Sequence, residues 1–300
     1  MKSCDGVLLI DKPSGLSSRR IDNIVAGLFK KEKLKTKVGH LGTLDPFASG
    51  LLPILVGKAT RIAEYLHEGR KEYVADIRLG WRTDTLDPEG EVVAESDVGE
   101  VSQEEMEAAA KRLTGEIKQK PPVFSAVKKD GRPAYKAARE GRAIELPERN
   151  VQVFEFEIEK TDLPLVTARI SCSAGTYIRA LGRDFGEILG LPASLAALRR
   201  TKVGDFDIEQ AVEPDTLQSV NTVSEALVSL GQAMSHLPKL AVDDVSATKI
   251  SHGLWPHGLD GPQSGVFGVV AQTSGELTAL AEFDASNGKF RIKKVFADQD

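Results

Sequence analysis

The chain has 300 residues, enough for one large domain and a smaller second one. It is 41% hydrophobic and 28% charged with two cysteines, which excludes a disulfide scaffold, and no apolar run reaches membrane length. The net charge of −5 argues mildly against a nucleic-acid partner, but its distribution matters more than its sum.

Lys30, Lys31, Lys33, Lys35 and Lys37 cluster, and Lys128, Lys129, Arg132, Lys136, Arg139, Arg142 and Arg149 form a second basic stretch. Acid concentrates at residues 89–107 and 205–213. A solvated surface accounts for any single run. A locally basic face on an acidic protein can also bind phosphates. Cys4 and Cys172 suit a reducing compartment, and neither lies in a CxxC or His-rich cluster, so no structural zinc is expected.

In chain order, the first five residues lead straight into a strand-like run at 7–10, too short and wrongly flanked for a signal peptide. Ser17 or Ser18 caps a helix carrying Ile21, Ile24, Val25 and Leu28 on one face. Residues 51–56 read as a strand and 59–66 as a short helix. Residues 72–79 alternate, placing Tyr73, Ala75, Ile77 and Leu79 on one face, so Tyr73 is either core or the edge of a pocket. After a polar turn at 82–90, Ser102-Gln103-Glu104-Glu105 is a capping box that opens a helix through Leu113. Residues 120–128 break that helix and start a strand, and 133–140 read as a short basic helix ended by Gly141.

Residues 151–158 and 166–173 form a strand pair, and 174–176 turn into a helix from Tyr177 to Leu189. A helix over 223–230 leads to a candidate boundary at Leu237-Pro238. Short strands at 265–271, 277–283 and 290–296 then suggest a small β-barrel. Strands and helices mix irregularly, so the class is α+β, with no repeating βαβ unit, internal repeat, or Walker or Rossmann glycine pattern.

The most constrained stretch is Gly39-His40-Leu41-Gly42-Thr43-Leu44-Asp45-Pro46-Phe47-Ala48-Ser49-Gly50-Leu51-Leu52-Pro53. Read alone, it is either a tight turn in which Asp45 satisfies nearby backbone N–H groups or a loop that holds a reactive carboxylate. It resembles the G-H-x-G-x-L-D-P-x-A-x-G-x-L-P catalytic-aspartate motif of the TruB family of tRNA pseudouridine synthases. The resemblance continues in Gly6-Val7-Leu8-Leu9-Ile10-Asp11-Lys12-Pro13-Ser14-Gly15, Lys71-Glu72-Tyr73, Arg82-Thr83-Asp84-Thr85 with Asp87 and Gly90, Pro121-Pro122-Val123-Phe124-Ser125-Ala126-Val127-Lys128, Gly175-Thr176-Tyr177-Ile178-Arg179 and Leu198-Arg199-Arg200.

The resemblance implies a pseudouridine-synthase catalytic domain over residues 1–236, with a mixed, largely antiparallel sheet flanked by helices and an RNA-gripping thumb loop at about 120–150. Residues 237–300 would be a small PUA-like β-barrel that binds RNA. The implied activity is conversion of uridine 55 in the tRNA T arm to pseudouridine, on a base flipped out of its stack. Asp45 would be the nucleophile, with Arg179 pairing to hold it ionised and oriented. Tyr73 would stack on the uracil, its hydroxyl available as a base.

Tyr177 and Leu198 would line the uracil pocket, and His40 would insert near the target or meet the RNA backbone. Lys12 and Pro13 would brace the Asp45 loop and Asp84 would be structural. Lys128, Lys129, Arg132, Lys136, Arg139 and Arg142 would grip phosphates. No metal, cofactor or guide RNA is implied, and the protein would be a cytoplasmic monomer. The rival readings are a tRNA-binding folding factor without turnover, a guide-RNA-dependent relative, and a nucleoside hydrolase. The hydrolase would require a metal cluster or a second carboxylate about 5 Å from the first.

Overall fold

The computed structural model describes residues 4–66, 69–124 and 146–296, together with the backbone at 128–129 and 132–133. The strands of the first part are β1 (Gly6–Lys12), β2 (Val38–His40), β3 (Ser49–Val56), β4 (Lys71–Leu79), β5 (Trp81–Thr83), β6 (Val92–Glu95), β7 (Gly115–Gln119), β8 (Lys128–Lys129), β9 (Arg132–Pro133), β10 (Arg149–Asp162), β11 (Leu165–Cys172), β12 (Ala193–Val203), β13 (Phe206–Asp207) and β14 (Leu227–Val228). The last part holds β15 (Lys239–Val242), β16 (Val266–Ala271), β17 (Leu277–Asp284) and β18 (Lys289–Val295). The helices are α1 (Ser18–Lys31), α2 (Ala63–Leu66), α3 (Gln103–Arg112), α4 (Ile178–Ile188), α5 (Val220–Glu225), α6 (Leu230–Ala233) and α7 (Asp244–Ser251). Among the described residues no helix is long and apolar enough to cross a membrane.

The main sheet runs β14-β1-β3-β12-β4-β11-β10-β7, with β2 added on β3 and β13 on β12. Its pairings are antiparallel apart from β12 on β3, where Arg199 and Arg200 lie beside Ser49 and Gly50. The fold is therefore α+β with a mixed, largely antiparallel sheet. β1 explains why residues 7–10 read as an unbroken apolar run: both faces are covered. Leu8 and Ile10 enter a core with Ile21, Val25 and Phe29 of α1 and Ile178, Leu181 and Phe185 of α4. Val7 and Leu9 face the other way, into a core with Leu51, Leu55, Leu230 and Met234.

The last four strands form a separate sheet in the order β15-β16-β17-β18, with α7 packed on it. Leu277 and Leu280 of β17 and Phe296 join the core of Val7 and Leu9, so the two sheets share apolar packing.

The helix expected over 223–230 is replaced by three short elements: α5, then β14 antiparallel to β1, then α6. Ser219 and Ser229 each cap one helix by accepting from a backbone N–H. The exposed edge of β1 takes Leu227 and Val228 as strand partners, a tertiary pairing that local periodicity does not report. The basic helix expected at 133–140 lies outside the described residues beyond Pro133, which ends β9.

β12 and β7 were not anticipated as strands. β12 carries register shifts between Leu195 and Ala197 and between Arg200 and Lys202, which break its alternation. It nevertheless lies centrally, between β3 and β4, and so determines what meets in the candidate site.

Candidate active site

Asp45 sits on the loop between β2 and β3, and the chain on either side pins that loop. Lys12, fully buried at the end of β1, donates from Nζ to Leu16 O at 2.7 Å, Pro13 O at 2.9 Å and Pro46 O at 3.3 Å. Ser18 Oγ donates to Leu44 O and accepts from Leu44 N–H, each at 2.9 Å. Ser14 Oγ donates to Phe47 O at 2.8 Å. From the opposite side Arg200 on β12 donates to Leu51 O at 2.8 Å and Gly42 O at 3.0 Å. Arg199 grips Asp11 with both terminal nitrogens, at 3.0 and 2.6 Å, and so ties β12 to β1.

Gly50, where the loop enters β3, has φ +101°, and a Cβ there would lie 2.3 Å from Arg200 O. This close approach requires glycine.

Arg179, in the first turn of α4, lies with Nε 2.9 Å from Asp45 Oδ2. A cation at a helix N-terminus opposes the helix dipole, so its surroundings must compensate. Asp87 does so: its Oδ2 accepts from Arg179 Nη1 at 2.9 Å, while its Oδ1 accepts from Thr85 Oγ1 at 2.6 Å and Glu89 N–H at 3.1 Å. Arg179 also donates to Thr85 O at 2.8 Å and Phe124 O at 3.0 Å. The Arg179 and Asp87 side chains are 7% and 5% exposed, whereas Asp45 is 37% exposed and open to a substrate. Burial pushes the Asp45 carboxyl above the usual range; the Arg179 charge opposes that shift, and Asp87 adds to it. The expected Arg179 pairing is present, but burial sets the net direction. Burial also lowers the Lys12 ammonium to about 8, with Asp45 opposing.

Asp84 is exposed and accepts from Glu91 N–H at 3.0 Å, which closes the turn before β6. Asp87, three residues on, reaches the arginine instead. The sequence presented both acids in one motif, and only the buried position of Asp87 distinguishes them.

His40 is neither solvated nor free: Nδ1 is 2.9 Å from the buried Asp22 Oδ2 and Nε2 is 3.1 Å from Thr43 Oγ1. Tyr177 is held through its backbone, donating its N–H to Gln119 Oε1 at 2.8 Å and accepting from Gln119 Nε2 at 3.1 Å. The Arg149 guanidinium lies over the Tyr177 ring, 5.5 Å from its centroid. Leu198, 7% exposed, lines a cavity of about 370 Å³ with Ser14, Phe47, Ser49 and Glu89, beside the Asp45 loop. A larger cavity of about 620 Å³, lined by Lys35, Lys37, Lys58 and Arg61, contains none of these groups.

Tyr73 is 7% exposed and stands between Ile170 and Arg200 on the neighbouring strands. The side chains of Lys128, Lys129, Arg132, Lys136, Arg139 and Arg142 lie outside the described residues. Sequence reasoning missed Asp87, Arg200, Gln119, Ser18 and Asp22. Asp87 and Arg200 stood inside quoted motifs, Ser18 was a cap candidate until Ser17 took that role, and Gln119 and Asp22 carried no local signal because their partners are far along the chain.

The chain matches the model described as TruB family pseudouridylate synthase (N terminal domain) over residues 30–178. It matches the tRNA pseudouridylate synthase B C-terminal domain over 179–235. It is 41% identical over 299 residues to tRNA pseudouridine synthase B of Francisella philomiragia, covering 99% of this chain and 96% of the relative. It is 46% identical over 251 residues to the protein of that name from Burkholderia lata, covering 83% and 76%. Among solved structures, a chain of an H/ACA RNP bound to a substrate RNA containing 2'-deoxyuridine is similar with a TM-score of 0.70 at 25% identity, over 99% of this chain and 86% of that one.

An open Asp45 paired with a buried arginine that Asp87 also holds, on this α+β scaffold, together with these likenesses, defines a pseudouridine synthase. Within that class, the chain belongs to the TruB family of pseudouridylate synthases.

Proposed function

We propose that this protein isomerises uridine 55 in the T arm of tRNA to pseudouridine, as a cytoplasmic monomer that uses no guide RNA and no cofactor. The reaction breaks the N1–C1′ bond, turns the uracil and forms a C5–C1′ bond. The proton lost from C5 is matched by one gained at N1, so no redox partner or energy source is needed. Asp45 supplies the electron pair as nucleophile and Arg179 orients it. Tyr73 stacks on the flipped base and takes the C5 proton. Tyr177 and Leu198 line the uracil pocket, and Lys12 and Pro13 brace the loop.

His40 acts on the RNA from the end of β2, held by Asp22 and Thr43. The basic stretch from Lys128 to Arg142 grips phosphates within the thumb loop, and residues 237–300 add a second RNA-binding surface.

The observation that carries this reading is the Asp45 carboxylate itself, 2.9 Å from Arg179 on a loop pinned from both sides yet 37% exposed. The test is to incubate purified protein with a T-arm stem-loop alone and score pseudouridine. Conversion without guide RNA or cofactor is expected. Tight binding with no conversion would leave a folding factor in its place.

A further inference from the structure

Among the described residues Arg200 is the largest fully buried side chain, and its fork is only partly used. Nε and Nη2 hold Leu51 O and Gly42 O, the two sides of the Asp45 loop. Nη1 is buried and makes no hydrogen bond of good geometry, and the Tyr73 hydroxyl is the group placed to meet the guanidinium. An unpartnered buried donor on a cation is costly and marks a group awaiting an acceptor.

The register shows where that group is. Arg200 on β12 is the direct cross-strand partner of Tyr73 on β4, so the two side chains share one face of the sheet. Lys71 is on the same face two residues along β4, opposite Cys172 of β11. Gly42 (φ +75°) lets the loop close over this group, since a Cβ there would lie 3.1 Å from Lys71 Nζ and 3.6 Å from Arg200 Nη1. Burial pushes the Tyr73 hydroxyl up and the Arg200 charge opposes that, while the Cys172 thiol and the Asp45 carboxylate add to it. Burial, with Arg200 second, lowers the Lys71 ammonium, and burial pushes the Cys172 thiol up to about 11.

We infer that Arg200 is a positioning residue with two tasks: its Nε and Nη2 hold the Asp45 loop, and its remaining nitrogen, across the strand from Tyr73, lowers the cost of forming the negative Tyr73 oxygen that acts as base in the reaction. This rests on the function proposed above. The Tyr73 phenolate takes the proton from C5, the C–H electron pair returns to the uracil ring, and water supplies the N1 proton. The hydroxide so formed then takes the proton from Tyr73, which restores the starting state. Arg200 thereby couples the position of the nucleophile to the readiness of the base. The Asp45 carboxylate works against a negative Tyr73, and the Arg200 charge opposes it.

The test compares Arg200→Lys with Arg200→Gln in single turnover on a saturating T-arm stem-loop. Arg200→Lys keeps the charge and should stay within about tenfold of wild type, whereas Arg200→Gln should lose about 10²-fold, the scale of positioned acid–base help. In Arg200→Gln the rising limb of the pH–rate profile should move to higher pH, and a C5-deuterated uridine should give a larger isotope effect. Equal losses in both variants that track melting temperature, with the pH profile and isotope effect unchanged, would overturn the inference. If neither variant folds, the wild-type fold still decides the matter. Tyr73→Phe keeps the ring and should shift the Arg200 guanidinium ¹⁵N resonance, and an unmoved resonance would overturn the inference. Absence of turnover in the wild type would instead sink the proposed function.

Discussion

At the scale of single residues, the site is a carboxylate whose burial and whose arginine act against each other. Because burial raises the Asp45 pKa in the fold, the folded state binds that proton more tightly than the unfolded chain does. The ionised carboxylate therefore costs stability at neutral pH, and that cost disappears as pH falls below the ordinary aspartate value of about 3.9. Asp45→Asn should consequently melt at or above the wild-type temperature at pH 7, with the difference shrinking toward pH 3, while turnover falls to the detection limit. A rate within about tenfold of wild type, about 1.4 kcal/mol of barrier, would remove Asp45 from the reaction.

Asp87→Asn tests the other carboxylate on the same guanidinium. It weakens a pair whose two members are 5% and 7% exposed. Breaking such a pair costs on the order of 3 kcal/mol. Calorimetry should show the lower melting temperature, and a filter-binding assay should show RNA affinity little changed. The TruB resemblance gave the structural role to Asp84 and none to Asp87, whereas it is Asp87 that reaches Arg179. The choice belongs to the turn, which exposes the first and buries the second beneath α4.

At the scale of elements, β12 organises the site. It borders β3, which follows the Asp45 loop, and β4, which carries Tyr73. It also carries Leu198, Arg199 and Arg200. At Gly50 β3 lies tight against the backbone of β12, with φ in a region that L side chains avoid and no room for a Cβ. Gly50→Ala should cost about 2 kcal/mol or more, read as a lower denaturant midpoint. It should also slow single turnover through displacement of the Asp45 loop. Unchanged stability would mean that β3 and β12 can separate freely.

The strands and helices legible in the sequence included α1, α3, α4, β4 and β11, and also β10 despite two register shifts of its own. β12 was not among them, because Arg199, Arg200 and Lys202 make a central strand read as a surface segment.

At the scale of the whole molecule, the C-terminal sheet is bound to the first part by a common core. Leu280 is fully buried there with Val7, Leu9 and Leu55. Lys58 and Arg61 donate to Phe296 O and Val295 O, each at 2.7 Å. Leu280→Ala should cost about 2–5 kcal/mol and lower a single cooperative melting transition. Two transitions, with only the smaller one shifted, would show that the C-terminal sheet unfolds independently. The charge of the molecule makes a separate prediction. Since the protein carries net −5, RNA affinity must come from local basic stretches. Replacing Lys128, Lys129 and Arg132 by Ala should weaken tRNA binding and flatten its salt dependence, with the single-turnover rate at saturating RNA little changed. An unaltered salt slope would exclude this stretch as the grip.

The sequence by itself determined the family, the α+β class and the order of most elements, and it singled out Asp45, Tyr73 and Arg179 as candidates. These depend on contiguous motifs and local periodicity, which are properties of neighbouring residues. Only the tertiary structure decided that Asp87 shares Arg179 with Asp45, and that Asp22 and Thr43 occupy His40. It alone placed Arg200 against the Asp45 loop and across from Tyr73, and made the C-terminal sheet share a core with β1. Each of these is set by burial and by strand register between segments far apart in sequence. Such contacts form because they satisfy buried charges and backbone groups, and no local pattern encodes which distant partner does so.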